Sequence, residues 1–300
     1  MNSKVQELKE FLGRAGRAAL VEVAATKGST PREAGAFMLV SASAIFGTIG
    51  GGQLEYMAID KARQMLRPLS PHKGKDKEAR IEVGEVCATL DVPLGPEIGQ
   101  CCGGRVELLI RLVDQPIEQE LIANAESEEA HLPHVYLFGG GHVGQALAAS
   151  LALLPIHVIV VETRADALEG MPEKVETRLT PMPEAVLREA PAGSAFAILT
   201  HDHALDFLIV AEALKRDDAA YVGMIGSKTK KATFRNWFLK SAEGSQAQFG
   251  RLVSPIGGNA VKDKRPQVIA ALAAAEIMTA LVSHAVRPTA SATPEKAMAG

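Results

Sequence analysis

Two adjacent cysteines, Cys101 and Cys102, are the residues of this sequence best suited to unusual chemistry. They stand in the glycine-rich segment 99–104, which reads GQCCGG. Neighbouring cysteines make a poor structural disulfide, whereas flanking glycines let thiols and backbone approach a bound group closely. A thiolate binds soft metals and handles sulfur when nearby positive charge lowers its pKa, and Arg105 follows directly. The segment predicts a soft-ligand or sulfur-handling site; the alternative is two small buried hydrophobic residues at the start of a strand.

Two further glycine-rich loops precede the cysteines, GSTPR at 28–32 and GTIGGG at 47–52. Their backbone N–H groups, hydroxyls and one arginine can hold an anion, and the second loop opens a segment of helical spacing, where a phosphate is favoured. Alone, each loop is typical of an ordinary turn. Together with the cysteine segment, they predict one pocket.

A fourth glycine-rich segment, GGGHVG at 139–144, has the spacing of a dinucleotide-binding turn. It follows an apolar strand-like run and opens a helix, and Glu162 ends the next strand about 20 residues later. We expect the glycines to admit a phosphate to the helix N-terminus and Glu162 to accept hydrogen bonds from ribose hydroxyls. The alternative is a turn that packs a strand tightly on a helix without any nucleotide. Arg164 could pair with an additional phosphate or remain solvated.

The segment THDHALD at 200–206 falls at the carboxyl end of another expected strand, where open α/β sheets bind ligands. His201, His203 and Asp206 have a spacing that invites a metal interpretation, but the further ligands of a closed site are missing. Asp202 is equally suited to cap a helix. The candidate nucleotide- or phosphate-binding residues are Gly139, Gly141, Gly144, Glu162, Arg164, His201 and Asp202.

Two domains must position these residues. From residue 134 onward, β-branched runs alternate with helical spacing, which predicts a parallel sheet wound on both faces. The fold class is therefore α/β, with an N-terminal α+β domain followed by a Rossmann-like doubly wound parallel-sheet domain. The predicted boundaries are an N-terminal domain at 1–114, a linker at 115–133, a Rossmann-like domain at 134–285, and a flexible tail at 286–300. The linker is rich in Glu, contains proline near each end and is expected to be partly helical; the alternative is a solvated helix inside one domain.

Composition excludes several classes of function. Aromatic residues make up 4% of the 300 residues, and 32 basic against 35 acidic residues give a net charge of −3, which does not suit a nucleic-acid partner. Three cysteines cannot form a secreted disulfide framework, and no export signal or membrane span is evident, so we expect a cytoplasmic protein. The Ala-rich segment 267–285 is either a core helix or the face of a homodimer.

These motifs together resemble the XdhC/CoxI family, the accessory proteins that mature molybdenum hydroxylases. The resemblance runs nearly end to end and rests on seven stretches: GSTPREAGAFMLV (28–40), GTIGGGQLE (47–55), LGPEIGQCCGGRVEL (94–108), LFGGGHVGQAL (137–147), ILTHDHALD (198–206), YVGMIGSKTK (221–230) and SPIGG (254–258). The chain departs from the family at Gln53, where some relatives carry a cysteine, and after residue 257, where relatives often continue Leu-Asp-Ile-Gly and this chain reads Gly258-Asn259-Ala260-Val261.

The resemblance implies a chaperone that binds the molybdenum cofactor (molybdopterin), holds it during sulfuration and inserts it into xanthine dehydrogenase. The partners so implied are the molybdenum subunit of xanthine dehydrogenase, a cysteine desulfurase and the proteins of molybdenum cofactor biosynthesis. Molybdenum would be held through Cys102 or Cys101. The implied cofactor-binding residues are Cys102, Cys101, Gln100, Gly103, Gly104, Thr30, Arg32, Gly51, Gly52 and Glu55. The phosphate end could lie at the Gly139 turn or at the Gly50 turn, and the Rossmann-like domain could also hold a nucleotide.

Two enzymatic alternatives remain. The turn at 139–144 with Glu162 would suit an NAD(P)-dependent oxidoreductase, although no evident acid/base set accompanies it beyond His201. A nucleotidyltransferase that adds a nucleotide to the cofactor would need a triphosphate site with basic residues and Mg²⁺, and the sequence has no P-loop pattern.

Overall fold

The computed structural model describes residues 3–67, 87–96 and 103–286. They divide after Ala130 into an N-terminal and a C-terminal unit. Three predicted cofactor-binding residues, Gln100, Cys101 and Cys102, lie outside the described residues, as do an expected strand at 80–86 and all of the predicted tail beyond Val286.

The N-terminal unit is an antiparallel sheet with helices on both faces. The strand order is β3-β2-β1-β5-β4, and every adjacent pair is antiparallel. The unit contains helices α1 (Lys4–Ala15), α2 (Gly52–Leu66) and α3 (Gln115–Ala130) and strands β1 (Ala18–Lys27), β2 (Phe37–Ser41), β3 (Ile45–Gly47), β4 (Cys87–Pro93) and β5 (Arg105–Leu112). This architecture confirms the predicted α+β fold of the first half.

Alternation along the strands assigns each face of this sheet its own core. On β1, Ala19 and Val21 pack with α2, whereas the intervening Leu20 packs with α1 and α3. Successive strand residues point to opposite faces, so a continuous apolar run is buried on both sides. The sheet is thus held rigid from both faces, and the loops at its ends carry the candidate pocket.

The segment predicted as a linker, 115–133, is helical as far as Ala130. Ile117, Leu121 and Ala125 recur every four residues and form an apolar stripe that packs against α1. Exposed acidic residues that follow this stripe pair with lysines of α1: Lys4 Nζ lies 2.9 Å from Glu128 and Lys9 Nζ lies 2.6 Å from Glu126. The segment therefore belongs to the N-terminal unit.

The C-terminal unit is a six-stranded parallel sheet of Rossmann-like topology, as predicted. The strand order is β11-β10-β9-β6-β7-β8. The unit contains helices α4 (His142–Leu151), α5 (Pro183–Glu189), α6 (His203–Lys215), α7 (Lys228–Lys240), α8 (Gln246–Gly250) and α9 (Pro266–Ala285) and strands β6 (His134–Phe138), β7 (His157–Glu162), β8 (Glu176–Leu179), β9 (Ala195–Ile198), β10 (Tyr221–Met224) and β11 (Leu252–Val253). α4 and α9 cover one face, and α5, α6 and α7 cover the other.

The order of the strands determines where a ligand can enter this sheet. From β6 the chain adds β7 and β8 on one side and then crosses to add β9, β10 and β11 on the other. Helices after β6 and β9 therefore leave toward opposite faces, which opens a crevice at the carboxyl ends of these two strands. The turn 139–144 follows β6 and the segment 199–203 follows β9, so both border this crevice.

Helix α9 is a core element of the C-terminal unit. It is the one helix in the described ranges that is long and apolar enough to cross a membrane by length and composition. Ala270, Ala273, Ile277 and Leu281 are nonetheless buried in the core, where α9 packs closely against α4. This packing accounts for one side of the helix, whereas other apolar side chains, such as Val282 at 58% exposed, lie outside the core.

Candidate functional site

The loop at 28–32 meets the segment that follows the two cysteines. A side chain at Gly104 would place its Cβ atom 2.1 Å from the carbonyl oxygen of Ser29 and 2.9 Å from that of Lys27, so only glycine fits there. Leu94 closes the connection that contains the cysteines: Gly103 N–H donates to Leu94 O at 2.9 Å, and Leu94 N–H donates to Gly104 O at 2.8 Å. The chain thus emerges from the cysteine segment directly against the 28–32 loop.

The same loop also contacts the glycines that precede α2. A Cβ atom on Gly50 would lie 2.6 Å from Pro31 Cγ and 3.6 Å from Arg32 Cγ. The structure therefore brings together the described parts of the three segments from which the sequence predicted one pocket. Gly51 and Gly103 have positive φ angles of 81° and 66°, which favour glycine, and no atom of the described residues lies within 4 Å of the Cβ position of either.

Glu55 organises the turn before α2. Its carboxylate accepts hydrogen bonds from the hydroxyl of Thr48 and, at 3.0 Å, from Ile49 N–H. Burial raises the pKa of the Glu55 carboxyl, but bonds from Thr48 and from the N–H groups of Ile49, Gly50 and Gly51 outweigh it and leave the pKa below its ordinary value. Backbone N–H groups of this turn, which were expected to hold a phosphate, therefore donate largely to the carboxylate of Glu55. Glu55 thus fixes the conformation of the loop.

Arg32 offers a free cation beside this cradle. It is exposed, and in the part of the chain that the structure describes its guanidinium has no hydrogen-bond or ion-pair partner. Thr30 fixes the loop locally, because its hydroxyl donates to the carbonyl oxygen of Arg32 at 3.0 Å. Arg32 is therefore the residue of this loop best placed to bind an anion.

Arg105, expected to lower the pKa of the neighbouring thiols, is already paired. Its Nε and Nη2 atoms donate to the two carboxylate oxygens of Asp91 at 2.5 and 2.6 Å. These hydrogen bonds raise the pKa of Arg105 and lower that of Asp91. Because Asp91 offsets the charge, the predicted activation of the cysteines by Arg105 is weakened, and sequence reasoning missed Asp91, which lies fourteen residues earlier on β4.

In the C-terminal unit, three glycines of the 139–144 turn are required by packing. A Cβ atom on Gly139 would lie 2.7 Å from the carbonyl carbon of Leu199, one on Gly140 would lie 2.3 Å from the oxygen of Ala167, and one on Gly144 would lie 2.0 Å from the oxygen of Gly139. Gly141 differs, because its φ of −67° suits any residue and no atom of the described residues lies within 4 Å of its Cβ position. Packing within the described residues therefore does not require glycine at this position.

Glu162 holds this turn in place. Its Oε2 atom accepts from Gly140 N–H at 2.9 Å, and its Oε1 atom accepts from the N–H groups of Thr163 and Arg164 at 2.7 and 3.1 Å. Burial raises the pKa of the Glu162 carboxyl, but these backbone bonds outweigh it and bring the pKa below its ordinary value. The residue is 5% exposed.

The hydrogen bonds that Glu162 already accepts limit the ribose contact predicted for it. Including the Thr163 hydroxyl at 3.1 Å, the carboxylate accepts four hydrogen bonds, which match the about four lone-pair positions of a carboxylate. Arg164 Nη2 lies 3.6 Å from the same group and is partly exposed. Three of the four bonds fall on Oε1, whereas Oε2 accepts from Gly140 N–H alone among these donors and keeps one acceptor position.

The segment after β9 separates into a cap and a buried cluster. Asp202 caps α6, because its Oδ1 atom accepts from Ala204 N–H at 2.7 Å and from Leu205 N–H at 3.3 Å; these bonds lower its pKa. His201 and His203 are exposed, whereas Asp206 is fully buried and pairs with Lys230, a residue that sequence reasoning missed. Among residues 3–67, 87–96 and 103–286, no group of three or more His, Cys, Asp or Glu side chains is placed to hold a metal ion.

Comparison with known proteins identifies relatives of both units. Residues 135–277 match the family described as the XdhC Rossmann domain, and residues 12–72 match the XdhC and CoxI family; together the two matches cover about two thirds of the chain. Over 270 residues the chain is 27% identical to the uncharacterized protein YqeB of Escherichia coli (strain K12), covering 87% of this chain and 43% of that protein. The chain thus spans less than half the length of this curated relative.

A solved structure shares the fold throughout. The crystal structure of a protein described as a xanthine dehydrogenase from Bacillus halodurans superposes with a TM-score of 0.75 and covers 98% of both chains at 16% identity. At this identity the likeness concerns the fold, and it extends over both units.

Alanine substitutions distinguish the packed glycines from the open one. We expect Gly144→Ala to destabilise the C-terminal unit by about 1–3 kcal/mol, because the new methyl group would overlap the carbonyl oxygen of Gly139. Gly141→Ala should change the free energy of unfolding by less than about 0.5 kcal/mol. Urea unfolding followed by the fluorescence of Trp237, the one tryptophan of the chain, reports this unit. Equal destabilisation by both variants would contradict the open geometry at Gly141.

Glu162→Gln should lower stability in a pH-dependent way. Because the folded-state pKa of Glu162 lies below its ordinary 4.5, the carboxylate stabilises the fold above about pH 4.5, and this stabilisation is lost as pH falls through the folded-state pKa. We expect a deficit of about 1–3 kcal/mol at pH 7 that shrinks below pH 4.5. Urea unfolding of both proteins from pH 7 to pH 3.5 measures it. Glu169→Gln, the same change at an exposed glutamate, is the control, and a deficit that stays constant over this range would refute the assignment.

Proposed function

The chain belongs to the XdhC and CoxI family, and from this premise we propose that it is a chaperone that binds the molybdenum cofactor, holds it during sulfuration and inserts it into xanthine dehydrogenase. Membership of the family suggests a role in xanthine dehydrogenase maturation. The finer statements, that the cargo is molybdopterin and that the protein protects it between two partners, are proposals that rest on the candidate site of the N-terminal unit.

The observation that carries the proposal is the convergence of three loops in that unit. Gly104 lies against Ser29, and Gly50 lies against Pro31, at distances that no other residue would permit. Close approach of this kind builds a cradle from backbone rather than from side chains, which suits a flat, polar, phosphate-bearing ligand. Among the described residues, Arg32 has no hydrogen-bond or ion-pair partner and supplies a positive charge beside these loops.

The residues present fit the two ends of such a cargo. Arg32 would bind the terminal phosphate, since a guanidinium matches phosphate oxygens with paired hydrogen bonds. Cys102 or Cys101, outside the described residues, would bind the metal end, because thiolates are preferred by soft metals. The bound cofactor would supply a metal centre that can take up sulfur. The protein's part would be to hold and orient this end.

A chaperone of this kind needs one partner that delivers the cofactor and another that receives it. We propose that it receives the cofactor from the proteins of molybdenum cofactor biosynthesis in the cytoplasm. A cysteine desulfurase would supply the sulfur, and the molybdenum subunit of xanthine dehydrogenase would accept the finished cofactor. An open, largely backbone-built cradle suits transfer, because it offers binding without enclosing the cargo.

Pterin content tests the proposed cargo. We expect protein purified from cells that make molybdopterin to contain a bound pterin, detected by mass spectrometry and by fluorescence after oxidation. Protein purified from cells unable to make molybdopterin should contain none. Equal pterin content in the two preparations would exclude the proposed cargo.

Substitution of the cysteines tests the metal end. We expect Cys102→Ala or Cys101→Ala to reduce bound molybdenum at least tenfold, because the soft ligand is lost, while the melting temperature is kept. The matched control is Cys87→Ala, which removes an exposed thiol on β4 and should leave molybdenum content unchanged. Unchanged occupancy in both loop variants would show that neither thiol holds the metal.

The NAD(P)-dependent oxidoreductase remains the alternative, supported by the open backbone at Gly141. The backbone bonds to Glu162 argue against it, since they occupy one of its two carboxylate oxygens and leave only Oε2 with an acceptor position for a ribose contact. We expect no hydride transfer when the protein is assayed with NAD or NADP and candidate hydroxy or oxo substrates. Saturable binding combined with measurable hydride transfer would favour the oxidoreductase.

A further inference from the structure

A cavity of about 140 Å³ lies within the N-terminal unit, on the face of the sheet that α1 and α3 cover. Leu20, Phe37 and Phe46, on strands β1, β2 and β3, form its floor, and side chains of α1 and α3 form its walls. None of the described residues that line it belongs to the three loops of the candidate cofactor pocket. The cavity is therefore a second candidate site, which the proposed function does not use.

Two small residues in its lining keep this cavity open. Gly35, in the loop before β2, has a φ of 89°, which favours glycine, and no atom of the described residues lies within 4 Å of its Cβ position. Ala125 carries only a methyl group, whereas Ile117 and Leu121, earlier in the same stripe of α3, carry longer side chains. An apolar cavity of about 150 Å³ holds benzene. This cavity therefore has room for a six-membered ring or a branched aliphatic chain.

An ion pair forms part of the same lining. Arg111 of β5 donates from Nη2 to Oε2 of Glu22 on β1 at 3.1 Å, and the two side chains are 35% and 34% exposed. Among the described residues, this is the one hydrogen bond that either charged group makes. A guanidinium has five donors and a carboxylate about four acceptor positions, so both groups keep capacity for a ligand. Arg111 Nε is buried without a partner among these residues, so the guanidinium is not fully satisfied by them.

The charges around the cavity favour a ligand that carries both signs. Besides the pair of Arg111 and Glu22, the lining contains Glu120 and a second ion pair, in which Lys4 Nζ lies 2.9 Å from Glu128. Glu120 is exposed and, in the part of the chain that the structure describes, has no hydrogen-bond or ion-pair partner. An anion alone would meet an excess of carboxylates, and a cation alone would leave the donors of Arg111 unfilled. A zwitterion satisfies both kinds of group.

We propose that this cavity binds a free α-amino acid with an apolar side chain. The side chain of the ligand lies against Leu20 and Phe37. Its carboxylate accepts hydrogen bonds from Arg111, and its ammonium donates to Glu22. Glu22 is also a positioning residue, because its bond to Nη2 orients the guanidinium. The inference goes beyond the proposed function, since the site lies on the face of the sheet opposite α2 and takes a different ligand.

Three ligands that share a ring but differ in charge test the proposal on the full chain. We expect L-phenylalanine to bind with a Kd of about 1 mM or below, the range of a ligand with roughly a dozen non-hydrogen atoms. Phenylpropionate lacks the ammonium and phenethylamine lacks the carboxylate, so each should bind at least about tenfold more weakly. Calorimetry and saturation-transfer NMR measure the affinities. Equal binding of all three ligands, or no binding of L-phenylalanine at about 10 mM, would overturn the proposal.

A fourth ligand separates a free amino acid from a side chain of a polypeptide. N-Acetyl-L-phenylalanine amide carries the same ring but neither charge, as a residue within a partner protein does. It should bind at least about tenfold more weakly than L-phenylalanine, because both charged hydrogen bonds are lost. Equal affinity would show that the cavity accepts a side chain of a partner protein, and the assignment of a free amino acid would be wrong.

Substitutions at the ion pair test the role of each charge. Arg111→Met should weaken binding of L-phenylalanine and of phenylpropionate by about 10- to 100-fold and leave that of phenethylamine unchanged, because only the carboxylate loses its partner. Glu22→Gln should weaken L-phenylalanine by about tenfold and leave phenylpropionate the same or tighter, since a competing carboxylate is removed. An equal loss for all three ligands in both variants would mean that the pair only shapes the cavity, and that result would refute the assignment.

Filling the cavity is a test that leaves the charges in place. Ala125→Leu should abolish binding of L-phenylalanine while the melting temperature stays the same or rises, because the larger side chain occupies the space of the ligand. Full affinity in a folded Ala125→Leu variant would show that the ligand binds elsewhere. This variant also keeps the proposal testable if Arg111→Met does not fold.

The matched control is Arg14→Met, which removes the same charge from an exposed position in the last turn of α1. It should leave affinity for L-phenylalanine unchanged, and a loss equal to that of Arg111→Met would show that only net charge matters, against the proposal. Pterin content distinguishes this inference from the proposed function. Binding of L-phenylalanine by protein from cells unable to make molybdopterin supports the amino-acid site whatever the cargo, whereas wild-type protein that carries pterin and binds no L-phenylalanine overturns this inference alone.

Discussion

Backbone N–H groups of a glycine-rich turn donate to an internal glutamate in each unit, and the geometry of both candidate sites depends on this interaction. Glu55 binds the turn that precedes α2, and Glu162 binds the turn that precedes α4. Glycine-rich backbone has a high conformational entropy, so an unanchored turn would sample many states. A carboxylate with several N–H donors selects one of them. Near these fixed turns, no atom of the described residues lies within 4 Å of the Cβ positions of Gly51, Gly103 and Gly141.

The same interaction changes the interpretation of the glycine motifs. A turn rich in free N–H groups is commonly taken to indicate a phosphate. Here part of that capacity is directed to the protein itself, so anion recognition has to come from side chains nearby. Among the described residues, the guanidinium of Arg32 has no hydrogen-bond or ion-pair partner. In the N-terminal unit an internal carboxylate thus shapes the turn, and a separate cation is left for the ligand that we propose.

Much of the fold follows from local pattern. Repeated strand-to-helix alternation after residue 134 predicts the parallel sheet, because each strand of such a sheet is a short, fully apolar run. Helix α3 was missed as a packed element because its glutamates dominate the composition, although Ile117, Leu121 and Ala125 carry the helical stripe. From the sequence, Glu55 and Glu162 were both predicted to contact a ligand, whereas in the structure both accept hydrogen bonds from backbone N–H groups. The sequence indicates that a carboxylate lies near a turn, but it does not indicate where the carboxylate oxygens point.

Contacts between distant residues were the least predictable part. Lys230 and Asp206 lie 24 residues apart, and Arg105 and Asp91 lie 14 apart, so no local spacing links them. Both pairs arise because neighbouring strands bring their flanking segments together. Convergence of the 28–32 loop with Gly104 was anticipated only in outline, from the number of glycines, whereas the backbone approach that requires them is a property of the folded sheet.

The reciprocal hydrogen bonds between Leu94 and the Gly103–Gly104 pair have an evolutionary consequence. They seal the base of the connection between β4 and β5, with Leu94 fully buried beneath it. Residues inserted, deleted or exchanged above such a seal leave the sheet register untouched, and the entropic cost of a longer connection grows only slowly with its length. Selection can therefore change the residues between Leu94 and Gly103 while the scaffold keeps its stability, so relatives that share the fold can diverge at this connection.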